Sequence, residues 1–401
     1  MFWSPSSGGV RRYLLAKQAW VARHGGFRQT IVTPVTPASG MRQVPGVPLP
    51  GSGGYRLPLR RGACAQVLQQ LAPDIIEAGD PYRLAWSSLD AAQRLAIPAV
   101  AFCHSNLEAM AARAAGVIGA QAAAWGRRAA RRYVHHLYHH YDLVFAPSRA
   151  MQQRLLDAGV SRAVRQPLGV DATRFDPSHR DILWRRNWCD SIGVPRNAKI
   201  LLYVGRFAPE KNLSVVTEAV SRLGAPYVLV AVGAGPTPPA GEAVRVLPFE
   251  SDRDTLARML ANADVMVHAG DQETFGLAVL ESMASGTPVV ARQADGLAEL
   301  VDDTVGRAVA RPDATAFAEA IHSICSAPAS ERDTLALAAR EGALAYDWER
   351  VLPGLFAQYR ELIDRHRGDA TMQPGKDLPL PSPLQHDRPS HEHEHIANDP
   401  A

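Results

Sequence analysis

The chain has few cysteines, no long apolar stretch and almost no net charge. Its four cysteines lie far apart, so no pair has the spacing of a metal site or a redox motif, and a reducing compartment fits best. No uninterrupted apolar run reaches the roughly 18 residues of a membrane-spanning helix. The N-terminus lacks the basic start and apolar stretch of a signal peptide. Lys plus Arg number 43 and Asp plus Glu 40, a near-balance that argues against a dedicated nucleic-acid binder.

The remaining composition is that of an ordinary globular protein. Hydrophobic residues make up 46% of the chain and charged residues 21%, which argues against wholesale disorder. At roughly 150 residues per domain, the 401 residues predict two or three domains. We therefore expect a cytoplasmic protein with more than one domain.

Short apolar segments alternate with longer helical patterns along the chain. One series of apolar segments runs from Thr30 to Ala146, and a second runs from Lys199 to Ala291. Such alternation predicts βαβ units on parallel sheets, hence an α/β protein with two Rossmann-like doubly wound domains. A polar and apparently irregular segment separates the two series. The predicted organisation is an N-terminal domain (1–170), a linker (171–198), a C-terminal domain (199–345), a C-terminal helix (346–368) and a disordered tail (369–401).

Both ends of the chain have features of their own. Gly8 and Gly9 come so early that a preceding strand has hardly any room, so we expect either a first strand of only Met1–Ser4 or an incomplete start. The tail from 369 to 401 holds six prolines, four histidines and no aromatic residue, which predicts disorder. Its His391–His395 segment could hold a transition metal weakly, but a flexible segment preorganises nothing, and a solvated tail is the simpler interpretation.

A turn with two basic residues follows the predicted strand at 199–205. Ligands gather at the carboxyl ends of strands in a parallel sheet. Arg206 and Lys211 are five residues apart across this turn, so both can point into one cleft. A guanidinium fork and an ammonium together suit a diphosphate. On spacing alone, a loop with two solvated basic residues is an equal alternative.

Two carboxylates flank a predicted helix start farther along the chain. Glu273 and Glu281 are eight residues apart, about 12 Å if the stretch were all helix, which is too far for a close acid–base pair. A carboxylate can accept hydrogen bonds from two neighbouring sugar hydroxyls, and the amides of residues 275–277 would favour an anion at the helix start. Alternatively, Glu273 caps the helix and Glu281 pairs with a nearby cation.

Two weaker signals lie in the N-terminal half. Gly8-Gly9-Val10 opens a helical pattern, and a glycine-rich helix start suits phosphate, although an ordinary tight turn would look the same. His104 ends the predicted strand at 98–102, where a histidine would face a cleft. A purely structural histidine is the alternative there.

The segment from Trp125 to Tyr141 is basic and aromatic. Arg128, Arg132, His135 and His139 would share one helix face, and Trp125 and Tyr133 could sit at a headgroup boundary. This pattern is typical of a helix that touches an anionic membrane surface. A solvated helix face and a site for an anionic acceptor are the alternatives.

Taken together and in order, these motifs resemble the family 4 (group 1) glycosyltransferases over residues 4–366. The resemblance is most specific from Glu273 to Ala291, where the two glutamates precede the strand-forming Thr287-Pro288-Val289-Val290. It implies the GT-B architecture, in which two Rossmann-like domains face a cleft, and transfer of a sugar with retention of its anomeric configuration. The other motifs that carry it are Ala146-Pro147-Ser148, Gly169–Phe175, Gly205–Asn212 and Gly233–Pro236.

The resemblance also implies roles for individual residues. Arg206 and Lys211 match the pair that holds the donor diphosphate, and Gly9 matches a glycine whose amide reaches the phosphate. Glu281 matches the glutamate that binds the nucleotide ribose, and Glu273 matches the one that contacts the transferred sugar.

Further roles concern the surroundings of the donor. The amides of Phe275, Gly276 and Leu277 match those near the donor sugar and phosphate. His104 matches a histidine near the reacting carbon. A departure from the family is Asp295, which stands where the family has a glycine and is expected to alter the loop geometry. The candidate catalytic residues are His104, Arg206, Lys211 and Glu273.

The expected reaction is hexose transfer from GDP-mannose or a UDP-hexose to a lipid or glycan acceptor. We expect no metal and no other cofactor, because the cations would take the place of a divalent ion. Peripheral contact with the inner face of an anionic membrane is expected as well, and no contact with nucleic acid. The alternatives are a GT-B phosphorylase and a non-catalytic or truncated sugar-nucleotide-binding protein.

Overall fold

The computed structural model describes residues 8–35, 40–49 and 55–372, with side chains to 368. The α-helices are α1 (Gly9–His24), α2 (Arg61–Gln70), α3 (Arg83–Leu95), α4 (Leu107–Gly116), α5 (Ala120–Tyr138), α6 (Arg149–Asp157), α7 (Ile182–Ser191), α8 (Leu213–Leu223), α9 (Arg253–Asn262), α10 (Leu277–Ala284), α11 (Ala314–Ser326), α12 (Ala329–Leu344) and α13 (Trp348–Met372). Three short 3-10 turns lie at Pro177–His179, Pro209–Lys211 and Asp295–Glu299.

The strands form two main parallel sheets. They are β1 (Ile31–Thr33), β2 (Met41–Gln43), β3 (Gly46–Pro48), β4 (Arg56–Pro58), β5 (Ile76–Ala78), β6 (Ala99–Phe102), β7 (Leu143–Ala146), β8 (Ala163–Arg165), β9 (Lys199–Val204), β10 (Tyr227–Val232), β11 (Val244–Leu247), β12 (Val265–His268), β13 (Val289–Arg292) and β14 (Gly306–Val309). The C-terminal sheet has the order β11-β10-β9-β12-β13-β14, and the larger N-terminal sheet has the order β5-β6-β7-β8. This alternation of parallel strands and helices confirms the α/β prediction.

The central strands are apolar because both of their faces are covered. All six residues of β10 are buried, as are the four of β6 and the four of β12. Helices on both sides of a parallel sheet produce this pattern. The predicted apolar segments at 30–33, 74–77, 98–102, 143–146, 199–205, 227–233, 244–249, 264–268 and 287–291 each contain or overlap one of these strands.

The segment 171–198 differs from its expected irregular conformation. It contains helix α7, whose first turn is capped by the Asp181 side chain, which accepts hydrogen bonds from the amides of Leu183 and Trp184. The same helix buries Trp188 and Cys189 in the main core. An aspartate N-cap followed by buried apolar residues explains why this polar segment is helical.

The N-terminal strands are divided by a gap. Strand β1 pairs with β2, and β5 pairs with β6, but β1 and β5 belong to different sheets among the described residues. A cavity of about 770 Å³ lies between them. Residues 1–7, which include the expected first strand Met1–Ser4, lie outside the described residues.

The last helix returns to the N-terminal half of the molecule. The chain enters it through mutual backbone hydrogen bonds, from Val170 to Tyr346 and from Trp348 to Val170. Along α13, Phe356 stacks on Trp20 of α1 with ring centroids 4.8 Å apart. Helix α13 continues to Met372, beyond the expected start of the tail, and the His391–His395 segment lies outside the described residues.

Candidate active site

The first group of the site forms where two neighbouring strands of the C-terminal sheet end. Lys211 follows β9 in a 3-10 turn, and Glu273 lies in the loop that follows β12. The Lys211 ammonium contacts the Glu273 carboxylate, and the same oxygen lies 3.2 Å from Nε2 of His268 at the end of β12. Because β9 and β12 are adjacent, the sheet itself brings these three side chains together.

This group fixes the charge of Glu273. Burial alone would raise the pKa of the Glu273 carboxyl, but Lys211 and the hydrogen bond from His268 outweigh burial and hold that pKa well below its usual range. Glu273 is therefore a carboxylate at every ordinary pH. The alternative that Glu273 caps the following helix is wrong, since the N-cap of α10 is Gly276 and Glu273 lies outside it.

Arg206 lies in the loop between β9 and this 3-10 turn, and it faces outward. Its side chain is 68% exposed, and it donates to the Glu210 carboxylate at 2.6 Å. The other oxygen of Glu210 accepts from Arg113 of α4 at 2.9 Å. Arg206 therefore lies at the boundary between the two halves of the molecule and does not contact Lys211.

Glu281 is buried inside α10 and carries two guanidinium partners. Its side chain is 4% exposed, and both of its oxygens accept from Arg12 of α1 at 3.0 Å. Arg253, the first residue of α9, also contacts it. The alternative pairing with a nearby cation is thus realised in this structure. Sequence reasoning missed both arginines, although Arg12 follows Gly9 by three residues and therefore lies one turn along the same helix.

Two helix starts face each other beside these groups. A Cβ placed on Gly9, the first residue of α1, would lie 3.3 Å from Cδ1 of Leu277, the first residue of α10. Before Leu277, Gly276 has a φ of 103°, a backbone conformation that favours glycine, and Phe275 is buried. Two helix N-termini whose first residues lie this close together form a favourable place for an anion.

The loop at Asp295 packs against the segment that carries Glu273. Asp295 has a φ of 46°, the left-handed conformation that a glycine would adopt, and its side chain contacts Arg154. The next residue, Gly296, donates its amide to the Glu273 carbonyl at 2.8 Å. A Cβ on Gly296 would lie 2.6 Å from the Cα of Phe275. Asp295 thus adopts a left-handed conformation itself, and the expectation that it alters this loop relative to the family stays a prediction.

His104 approaches the site from the N-terminal half. Its carbonyl accepts a hydrogen bond from the Thr274 hydroxyl at 3.2 Å, and its ring stacks on Phe102 with centroids 4.3 Å apart. The Nε2 atom is buried and has no hydrogen-bond partner among the described residues. Burial lowers the pKa of His104 to about 4, so the ring is neutral at physiological pH.

The basic helix predicted at 125–141 is α5. Its arginines and His135 are exposed, and Trp125 is 67% exposed. Tyr133 differs from expectation, because its hydroxyl donates to the Pro81 carbonyl at 2.6 Å and accepts from the Trp86 indole. Tyr133 thus faces the domain rather than a headgroup boundary. No helix in the described ranges combines the length and hydropathy that crossing a bilayer requires.

Comparison with known proteins identifies the family. The family described as "Glycosyl transferases group 1" matches residues 185–342, and "Glycosyltransferase Family 4" matches residues 7–174. A GDP-mannose-dependent alpha-mannosyltransferase of Mycobacterium tuberculosis is 32% identical over 76% of this chain and 77% of the relative. A GDP-mannose-dependent alpha-(1-6)-phosphatidylinositol dimannoside mannosyltransferase of the same species is 30% identical over 89% of this chain and 93% of the relative.

Solved structures agree on the architecture. The Anabaena HepE protein in complex with UDP and glucose superposes with a TM-score of 0.70 and 19% identity, covering 90% of this chain and 98% of that one. A sucrose-phosphate synthase from Thermosynechococcus elongatus gives a TM-score of 0.69 at 21% identity, covering 90% of this chain and 94% of that one. The fold is GT-B, and the chain belongs to the family 4 (group 1) glycosyltransferases, enzymes that use nucleotide sugars.

Proposed function

We propose that the chain transfers a hexose from a nucleoside-diphosphate sugar to a lipid or glycan acceptor, with retention of configuration and without a metal ion. The observations that carry this proposal are the contact of Lys211 with Glu273, the pairing of buried Glu281 with Arg12, and the close approach of Gly9 to Leu277 at the starts of α1 and α10. GDP-mannose is the first donor to test, because several relatives are named for it.

The donor diphosphate would lie between the two helix starts. Lys211 and the backbone amides of the first turn of α10 supply positive charge there. Arg206 can rotate towards the diphosphate, because its side chain is exposed and its pair with Glu210 lies at the surface. Positive charge placed before the bond breaks stabilises the leaving diphosphate in the transition state. These cations do what a divalent ion would otherwise do, which is the reason for proposing metal independence.

The two carboxylates would hold the sugar moieties of the donor. Glu273 is ionised and sits beside Lys211, so it can accept a hydrogen bond from a hydroxyl of the transferred hexose next to the phosphate. Glu281 would accept the ribose hydroxyls. Since Arg12 takes both of its oxygens in the present structure, ribose binding requires Arg12 to move aside or to share one oxygen.

Retention follows if both bond changes occur on one face of the sugar. The leaving phosphate would accept the proton of the attacking hydroxyl, so the protein need not supply a nucleophile. Neutral His104, whose Nε2 is unpartnered among the described residues, would donate or accept one hydrogen bond at the hexose. Closure of the two halves would exclude water and suppress hydrolysis of the donor.

The donor assignment is tested by thermal-shift titration with GDP, UDP, ADP and their sugars, with and without EDTA. A ligand that binds only the folded chain raises its stability by mass action. We expect a shift with one nucleoside diphosphate, unchanged by EDTA, and weakened in Glu281→Ala. Arg222→Ala, which removes a surface pair on α8, is the matched control and should titrate like the parent. An EDTA-sensitive shift contradicts metal independence.

Turnover then separates the remaining alternatives. Lys211→Ala should lower kcat by about 10²–10³, the usual cost of removing a donor to developing negative charge. Product with the anomeric configuration of the donor supports retention, and the inverted product refutes it. Turnover that requires free phosphate would identify a phosphorylase, and donor binding without turnover would identify a non-catalytic binding protein.

The acceptor side of the proposal includes a membrane surface. The tip between α4 and α5 exposes Val117 and Ile118, which are 90% and 86% accessible, and the exposed Trp125 and arginines lie on the same helix pair. Apolar side chains beside basic ones are typical of a surface that rests on anionic lipid. This arrangement favours a lipid-linked acceptor.

Vesicle sedimentation tests this contact. The chain should pellet with phosphatidylglycerol vesicles and release in high salt, and it should remain in solution with phosphatidylcholine vesicles. Ile118→Glu should weaken the binding. Leu337→Glu is the matched control, because Leu337 is 66% exposed on α12, in the C-terminal half. Equal binding of both variants and the parent would refute the proposed surface.

A further inference from the structure

The buried carboxylate of Glu281 joins arginines from both halves of the molecule. Nη1 of Arg12, on α1, donates to both of its oxygens at 3.0 Å, and Arg253, on α9, contacts one of them. Two guanidiniums against one carboxylate leave one positive charge unbalanced among these three groups. Because unbalanced charge away from water is costly, the cluster is suited to receive a further anion.

The two arginines are held differently. The guanidinium carbon of Arg253 lies 4.7 Å from the ring centroid of Phe175, a buried residue of the main core. Arg253 and Glu281 also belong to the same half of the molecule, so movement between the halves leaves their contact intact. Arg12 comes from the other half, and any separation of the halves withdraws it from Glu281. Arg12 is therefore the exchangeable partner and Arg253 the permanent one.

The form of the Arg12 contact makes it replaceable. A single nitrogen, Nη1, is shared between the two oxygens of Glu281. The strongest arginine pairs with carboxylate or phosphate use two nitrogens in parallel. An anion that offers this parallel geometry can therefore compete with Glu281 for the Arg12 guanidinium.

The place of Arg12 on α1 directs its side chain towards the helix start. Its amide donates to the Gly8 carbonyl at 3.2 Å, so Arg12 ends the first turn. Helical side chains lean back over the turn that precedes them. The starts of the two helices meet there, since a Cβ on Gly9 would lie 3.3 Å from Cδ1 of Leu277. Moving from Glu281 to an anion between these starts takes the guanidinium about one helical turn, or about 5 Å.

The Arg12 guanidinium also needs a negative partner wherever it lies in this region. Burial lowers its pKa, against the opposite effect of Glu281. When ribose hydroxyls occupy the oxygens of Glu281, the guanidinium loses that partner. The donor itself supplies the replacement, because its diphosphate carries the negative charge that the ribose lacks.

We propose that Arg12 is a further donor-binding residue, which exchanges Glu281 for the diphosphate when the nucleotide binds. Arg253 stays on Glu281 and positions it for the ribose. The inference rests on the proposed function, since it requires a nucleoside diphosphate between α1 and α10. It implies selection for phosphate: a nucleoside must break the Arg12 contact and gives nothing in return, whereas a nucleoside diphosphate provides a new partner.

Titration of diphosphates and nucleosides tests the exchange. GDP, UDP, guanosine and uridine are titrated into the parent chain and into Arg12→Met, with calorimetry for the diphosphates and ligand-observed NMR for the weaker nucleosides. Arg12→Met should raise the Kd of the bound diphosphate about ten- to a hundredfold, the contribution of hydrogen bonds between charged groups. It should bind the corresponding nucleoside as tightly as the parent does, or more tightly, because the competitor for Glu281 is gone.

The second arginine gives a contrasting variant. Arg253→Met should weaken the nucleoside and the diphosphate by the same factor, since both use the ribose contact, and Arg253→Lys should restore part of the loss. Arg23→Met is the matched control, because Arg23 lies on the last turn of α1, is 57% exposed and pairs with Glu349. It should bind every ligand as the parent does.

The outcomes separate this inference from the proposed function. A parent chain that binds neither diphosphate refutes both. Diphosphate binding that is unchanged in Arg12→Met refutes the exchange alone, and so does an equal weakening of nucleoside and diphosphate, which would make Arg12 a structural residue. A phosphate-selective loss in Arg253→Met, with none in Arg12→Met, would reverse the two roles and overturn the assignment.

Discussion

The pair formed by Lys211 and Glu273 gives the sharpest test of the site, because it can be measured without any substrate. Their side chains are 13% and 20% exposed, and His268 is the other partner of the carboxylate. Replacing Lys211 by Met keeps the apolar stem and removes the charge. Glu273 is then left as a poorly solvated carboxylate whose pKa must rise.

The expected magnitude follows from this burial. Removing one partner of a fully buried pair costs about 3–5 kcal/mol, and the residual exposure of both groups lowers that to about 2–3 kcal/mol. Lys211→Met should therefore lower the free energy of unfolding by this amount, and lower Tm. Adding Glu273→Gln removes the stranded charge while keeping a hydrogen bond to His268, so the double variant should regain most of the loss.

Denaturant unfolding of the four proteins of this double-mutant cycle, at pH 7 and at low and high salt, is the measurement. A coupling energy near zero would refute the reasoning, since it would mean that the two side chains do not sense each other in solution. A coupling that disappears in high salt would likewise show that the pair is solvated. Glu218→Gln with Arg222→Met, an exposed pair on α8, is the reference cycle and should give less than about 1 kcal/mol.

Two further predictions concern the supports of the site. The pKa of His104 is about 4, against 6.5 when unfolded, so the unfolded chain binds the extra proton in this window and stability falls as pH drops from 6.5 towards 4. The loss is about 3 kcal/mol, and His104→Gln should abolish it in urea titrations across this range; an unchanged pH profile contradicts a buried neutral ring. Gly296→Ala should cost about 1–3 kcal/mol and weaken nucleotide binding, because its Cβ would lie 2.6 Å from the Phe275 Cα. Gly354→Ala in α13, where nothing lies within 4 Å, should be neutral or stabilising, and equal effects of the two changes would refute this packing.

The sequence reveals the sheet strands of the C-terminal half because those strands are continuous apolar runs that end in glycine or a polar turn. The run at 199–205 becomes β9, and the run at 227–233 becomes β10. It does not reveal β2, β3, β4, β8 or β14, which have three or four residues each and contain Arg, Gln, Gly or Pro among their apolar residues. A short segment without a continuous apolar run carries no clear pattern, and its conformation depends on the neighbour with which it pairs.

The candidate site likewise contains residues that the sequence predicts and contacts that it does not. Lys211, Glu273 and Glu281 are recognisable because their spacing relative to predicted strands indicates where they lie. The pairing of Arg12 with Glu281 joins residues 269 positions apart, and no local pattern reports on such a contact. The sequence does not predict the outward position of Arg206 either, since it depends on Glu210 and on Arg113 from the other half of the molecule.

The packing of α13 on α1 has a consequence for how the protein is made. Lys17 and Trp20 of α1 obtain their buried partners from Tyr359 and Phe356, residues that leave the ribosome long afterwards. At roughly 5–20 residues per second, about 17–68 s pass between the synthesis of α1 and that of these partners. During that interval α1 exposes the apolar face that α13 later covers, together with Lys17. We expect chaperone binding or premature self-association at this stage. A pulse of protease during synthesis should therefore cut α1 readily until α13 has emerged, and rarely afterwards.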